Sequence, residues 1–117
     1  VTRFTGGTPS IGPAAGATAG QEIVNAAGVD AVYAHNQNLL TRLFSKLPAT
    51  SVVSHTGKGT RGSGAIIRVS DYNAAAQALK EAGVIHDTRL GAVRVSFHLY
   101  NDETDVDAFA EAIEPHL

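Results

Sequence analysis

From Val93 to Tyr100 the chain alternates, with Val93, Val95, Phe97 and Leu99 set against Arg94, Ser96, His98 and Tyr100. A period of two is what a half-buried strand produces, because successive side chains leave the backbone on opposite sides. The segment demands a sheet with apolar packing on one face, and it sends Arg94 to the other. Directly afterwards Asn101 reads as a helix cap. Asp102 and Glu103 stand in the first turn, where the helix dipole favours anions, and Val106, Phe109, Ala110 and Ile113 form a buried stripe.

The remaining elements follow from the same two periods. Ser10 is placed to cap a helix from Ile11 to Ala27 that is dominated by alanine and that Gly28 stops. Val32, Asn36, Leu39, Leu40, Leu43, Phe44 and Leu47 share one stripe of a second helix, ended by Pro48. "TSVVSH", "GAIIRVS", "VIHD" and "AVRVSFH" read as short strands, and Asp71 caps a helix over "YNAAAQALKEA" that Gly83 terminates. The order helix, helix, strand, strand, helix, strand, strand, helix predicts one α+β domain over residues 1–117. Its sheet is expected to be mainly antiparallel, with one face covered by helices.

Composition narrows the function classes. With 44% apolar and 17% charged residues the 117-residue chain has the makeup of an ordinary globular protein. Its net charge of −2, with nine Lys and Arg scattered singly, leaves no basic stripe for a nucleic acid. Gln21, Glu22, Asn25 and Asp30 interrupt the alanine-rich stretch before it could span a bilayer. The absence of cysteine removes thiolate metal sites and a cysteine nucleophile, and a cytoplasmic location is expected. There is no methionine and the chain begins Val1-Thr2-Arg3, so a processed product or a piece of a longer protein is expected.

Gly57-Lys58-Gly59-Thr60-Arg61-Gly62 has the GxGxxG spacing. A dinucleotide loop needs a helix after it, where free amides meet the pyrophosphate, and here a strand follows, so the segment reads as a hairpin connection. His35, His55, His86, His98 and His116 occur singly, without metal-ligand spacing, and no metal site is expected. Asp102, Glu103, Asp105 and Asp107 read as a solvated helix start. Gly6-Gly7-Thr8-Pro9-Ser10 offers amides and hydroxyls to a phosphate, or else a plain loop and cap. Arg94 taken alone fits either a structural ion pair or an anion site.

Taken together, "RFTGGTPSIGPAAGATAGQEIV" and "GVIHDTRLGAVRVSFHLYNDETDVDAF" resemble the C-terminal part of the class V aminotransferase family of pyridoxal-phosphate enzymes, which includes cysteine desulfurases, kynureninases and isopenicillin-epimerase-like proteins. The resemblance implies a small C-terminal domain plus its connecting helix. It also implies pyridoxal 5'-phosphate in the complete enzyme, a missing N-terminal large domain and a homodimer. By the same resemblance Arg94 grips the α-carboxylate of an amino-acid substrate, a task suited to a planar guanidinium fork. Gly7 and Thr8 match the segment that reaches the cofactor phosphate of the neighbouring subunit. Arg89 is placed to meet a second anionic group.

No catalytic residue is identifiable, since none of Lys46, Lys58 and Lys80 has the sequence context of the family's Schiff-base lysine. Without a thiol, the desulfurase branch fits poorly, and "VIHDTRLGAV" sits closer to lyase and epimerase-like members. The expected function is the C-terminal portion of an enzyme acting on an amino acid or an S-substituted cysteine, by a lyase or aminotransferase-like reaction. The alternative is a free-standing α+β binding module for a small anionic ligand or a partner protein. His98 shares the side of Arg94 if the strand stays regular.

Overall fold

The computed structural model describes residue 7 and residues 10–57, 59–89 and 91–117, apart from the side chains of residues 88 and 89. The chain divides into two compact units, Val1–Val32 and Tyr33–Leu117. In the first, α1 spans Ile11–Ala27 and has no buried residue. Ser10 occupies its N-cap position, yet the hydroxyl makes no capping bond; the Ser10 carbonyl accepts from the Ala14 amide at 3.1 Å. Gly28 ends α1 as its sequence position predicts, and α2 (Val29–Lys46) begins at once, earlier than the stripe from Val32 indicates.

The second unit holds the remainder of α2, then β1 (Gly64–Arg68), α3 (Tyr72–Glu81), β2 (Asp87–Arg89), β3 (Ala92–Ser96) and α4 (Glu103–Ile113). The sheet has three strands in the order β1-β3-β2, all antiparallel, so β3 is central. Ala65 pairs with Val95 and Ile67 with Val93, and all four point into the core. There they join Leu39, Leu40, Leu43 and Leu47 of α2 and its end, Ala75 and Leu79 of α3, and Val106, Phe109 and Ile113 of α4 in a single cluster. An α+β domain with helices supplying the cover for one sheet face is what the alternating segment demands. A fully buried Phe109 removes its whole ring from water, and its truncation leaves a cavity the helices cannot close.

Two of the expected strands are corrected. "TSVVSH" is not a strand: a 3-10 turn covers Ala49–Ser51, closed by Ser51 Oγ donating to Pro48 O at 2.7 Å, and only Val52 bridges to Ile67. Val53 N donates to Ile66 O, after which the Ser54 hydroxyl, not a backbone carbonyl, accepts from Ile66 N, so the ladder ends. "VIHD" contributes only Asp87 to β2, because Val84 N is committed to Leu79 O at the close of α3. Gly91, at φ 78, supplies the left-handed residue of the tight connection from β2 to β3.

The cap of α4 is Asp102, not Asn101. The Asp102 carboxylate accepts from the Thr104 and Asp105 amides while the Asp105 carboxylate accepts from Asp102 N, a reciprocal capping box. Asn101 is used elsewhere: its Oδ1 accepts from His98 N at 3.0 Å, folding the turn between β3 and α4. Asp71 caps α3 as its sequence position predicts, accepting from Asn73 N and Ala74 N. Among the described residues no helix is long and apolar enough to cross a membrane.

Ion pairs tie α2 to α4. Arg42 donates through Nε and Nη2 to both oxygens of Asp107, at 2.8 and 2.7 Å, and reaches Glu103 through Nη1 at 3.0 Å, while Lys46 lies 3.1 Å from Asp107. The hydrogen bond from Arg42, assisted by Lys46, holds the Asp107 carboxyl well below the usual carboxylate range, against a smaller opposing effect of desolvation. Such a depressed group contributes stability above its unfolded value near pH 4 and loses it as the pH falls further. Asp107→Asn is therefore expected to lower the thermal midpoint at pH 7 and to converge with the parent chain as the pH is taken below about 4. A midpoint difference that stays constant across that acid range would show that the charge of Asp107 is not what matters.

Candidate functional site

Because Val93 and Val95 are drawn into the core, Arg94 stands on the open face of the central strand. In register it lies between Ile66 of β1 and Asp87 of β2. Its Nη2 is 2.8 Å from Asp87 Oδ2, with 48% of the arginine and 44% of the aspartate side chain exposed. Opposite charges directly across an antiparallel pair orient each other, and water screens part of their attraction. A guanidinium carries five N–H donors, so one such pair holds the fork in place without saturating it.

Beside Arg94 the sheet face sinks into a shallow depression of about 440 Å³, lined by Ser54, Gly64, Ile66, Arg94 and Ser96 together with the backbone of Ala65 and Val95. Gly64 pairs with Ser96, and a Cβ added to it would stand 2.9 Å from Val95 O and 3.3 Å from Ser96 Cβ. Only glycine fits that close approach. The hollow thus has a bare floor, two hydroxyls and one cation.

The other sequence-predicted site residues are placed as follows. Gly7 is exposed, and Thr8 lies outside the described residues. Arg89 closes β2, and its side chain likewise lies outside what is described. His98 does not continue the row of Arg94: pairing of β3 with β1 ends at Ser96, and His98 falls in the turn to Asn101. Its ring stacks on Tyr100 with centroids 5.6 Å apart, and its buried Nδ1 has no hydrogen-bond partner. His35 Nε2 lies 2.9 Å from Asn101 O, fastening the same turn to α2. Among the described residues no three His, Asp or Glu side chains gather as a metal site.

A second arginine organises the loop before β1. Arg61, 8% exposed, is the fifth residue of the GxGxxG stretch. Its Nη2 donates to Gln37 O at 2.7 Å and to Thr41 Oγ1 at 2.6 Å, Nη1 donates to Thr56 O at 3.0 Å, and Nε donates to Gln37 Oε1. Its guanidinium carbon also lies 5.3 Å from the Phe44 ring centroid. Gln37 returns the contact through Nε2 to Gly62 O at 3.1 Å. The glycines let the chain turn sharply, and Arg61 fastens both ends of that turn to α2. A motif that resembles a phosphate loop is here a structural clamp. The available signal was Gln37 and Thr41, polar residues one turn apart beside the leucine stripe of α2.

A family model described as the kynureninase C-terminal domain matches residues 32–113, from the first part of α2 to the last residue of α4. The match takes in the Arg61 clamp, β1 and the whole surround of Arg94. Comparison with curated proteins gives no match.

Replacing Arg61 by methionine removes the cation from beside the Phe44 ring and strands Gln37 Oε1, while Gln37 O keeps the Thr41 hydroxyl. Leaving a buried acceptor unsatisfied costs about 1–3 kcal/mol, so a loss of that order is expected in urea unfolding. Amides of residues 55–62 should also exchange faster with solvent. Unchanged stability together with unchanged exchange would show that the loop is held by something other than Arg61.

Proposed function

The chain belongs to the kynureninase C-terminal domain family, a portion of pyridoxal-phosphate enzymes of the class V aminotransferase type, and on that premise we propose that it presents Arg94 as the grip for the α-carboxylate of an amino-acid substrate. The observation that supports this reading is the placement of Arg94. It stands on the sheet's open face, held at 2.8 Å by Asp87 and bordering a hollow of about 440 Å³. That volume lies in the range of small-ligand sites. A carboxylate offers two oxygens to a planar fork, and the paired charge-assisted bonds fix the substrate's direction as well as its position.

In the complete enzyme pyridoxal phosphate supplies the electron sink. None of Lys46, Lys58 and Lys80 has the sequence context of the family's Schiff-base lysine. Lys46 is engaged with Asp107, and Lys80 stands in the last turn of α3. We therefore assign the lysine and the partner of the pyridine nitrogen to a large N-terminal domain outside this sequence. Gly7 and Thr8 are assigned to the cofactor phosphate of a second subunit, which makes the complete enzyme a homodimer. The reaction is placed in the lyase or aminotransferase-like class, with an amino acid or S-substituted cysteine as substrate, in the cytoplasm. Arg89 is assigned to a further anionic group of that substrate.

The division of labour yields a clean test. Arg94→Gln in the complete enzyme removes the charge while keeping hydrogen-bonding atoms. Loss of a charge-assisted bond of about 1.5–3 kcal/mol corresponds to a fall in kcat/KM of about tenfold to more than a hundredfold. Cofactor uptake, read from its visible absorption, should be unchanged. Full kcat/KM in this variant would overturn the assignment.

A further inference from the structure

The helix α1 plays no part in the site around Arg94, and its surface is unusual. It spans 17 residues, none of them buried, and Glu22 is its one charged side chain. A lone helix of that length is marginal in water, because packing of an apolar face supplies most helical stability in proteins. At about 100° per residue, Gly12, Gly16, Ala19, Gly20, Ile23 and Ala27 share one side of α1, while Thr18, Gln21, Glu22 and Asn25 share the other. The polar side is satisfied within itself. Thr18 Oγ1 donates to Ala14 O at 2.9 Å, and Gln21 Nε2 donates to Asn25 Oδ1 at 2.9 Å. The apolar side is bare: Ile23 is 60% exposed, and beyond the helix's own backbone nothing stands within 4 Å of where a Cβ would sit on Gly12, Gly16 or Gly20.

We propose that the apolar side of α1 is a docking face for a helix of the large N-terminal domain of the same polypeptide. This inference rests on the assignment of that domain and is independent of the role of Arg94. The matched family is a C-terminal domain and its match starts at residue 32, so α1 lies on the N-terminal side of the matched residues. The face carries no charge, which calls for an uncharged, apolar counterpart. Its size speaks against a second copy of α1. Seventeen residues rise about 25 Å, and a strip about 10 Å wide then buries on the order of 250 Å² on each partner, against about 800 Å² in a stable complex. Within one polypeptide the connection itself supplies a high effective concentration, so a face this small suffices. Glycines four apart leave a groove along one row of the helix surface, and the ridge of a crossing helix fits such a groove.

The experiment uses the complete enzyme. A diazirine-bearing aliphatic amino acid is placed at Ile23, and in a second preparation at Gln21 on the polar side; after irradiation the products are separated by size and their peptides identified by mass spectrometry. Position 23 is expected to cross-link to residues N-terminal to Val1 in a product of single-chain mass, and position 21 to lose that product. Gly16→Leu raises helix propensity yet fills the groove, so it should cost the α1 amides their protection from hydrogen exchange in the complete enzyme, whereas Thr18→Leu should leave that protection unchanged. Cross-links from position 23 into a second chain, or reaction with solvent alone, would overturn the docking face. So would equal exchange in the two leucine variants. The kcat/KM of Arg94→Gln, measured on the same enzyme, separates the two readings: if it falls while the docking face fails, the role of Arg94 stands. A complete protein with no large N-terminal domain overturns both.

Discussion

The register of β3 is the constraint on which the rest depends. Val93 and Val95 face Ile67 and Ala65 on the buried side, and with a period of two this leaves Arg94 and Ser96 no side but the open one. A slip of one residue would carry a guanidinium into a core made of leucine, valine and phenylalanine, at a cost far above any compensating contact. The packing that stabilises the domain is therefore also what displays the cation. Asp87 arrives opposite Arg94 by the same logic, since the short connection through Gly91 sets the pairing of β2 with β3.

The helix α2 serves three neighbours through different sides of one cylinder. Its leucines enter the core. Gln37 and Thr41 take the Arg61 guanidinium and so define the loop that leads into β1. Arg42 and Lys46 meet Glu103 and Asp107 of α4. These contributions are unequal in kind. Exposed ion pairs add little stability each, whereas buried apolar area sets the scale, so the leucine stripe holds α2 in place and the charges choose its alignment with α4. Two cations four apart on one helix repel, as do two carboxylates four apart on the other, and the pairing across helices relieves both.

Much of the fold was legible from pattern alone because the relevant physics is local. The alternation around Arg94, the stripes of α2 and α4, the Asp71 cap and the Gly28 and Gly83 stops depend on spacing and backbone preference within a few residues. The misreadings share the opposite property. "TSVVSH" has strand composition, yet Ser51 and Ser54 use their hydroxyls in place of ladder bonds. Asn101 and Asp102 are equally good caps by type, and the choice between them was made by His98 N, which claims the Asn101 side chain. The role of Arg61 was not legible from local spacing, since its α2 partners Gln37 and Thr41 lie 24 and 20 residues away.

For the functional site the division is similar. The sequence by itself determined that Arg94 leaves the sheet on the face away from the core, because alternation is a property of the extended backbone, and its resemblance to a pyridoxal-phosphate enzyme family agrees with the family match over residues 32–113. Only the tertiary structure decided what stands around that arginine. Asp87 at 2.8 Å, Ser54 brought across from the far side of β1, and Gly64 held bare beneath Val95 O are long-range pairings. They are set by which strands neighbour one another, and that depends on how the helices cover the core rather than on any short stretch of residues.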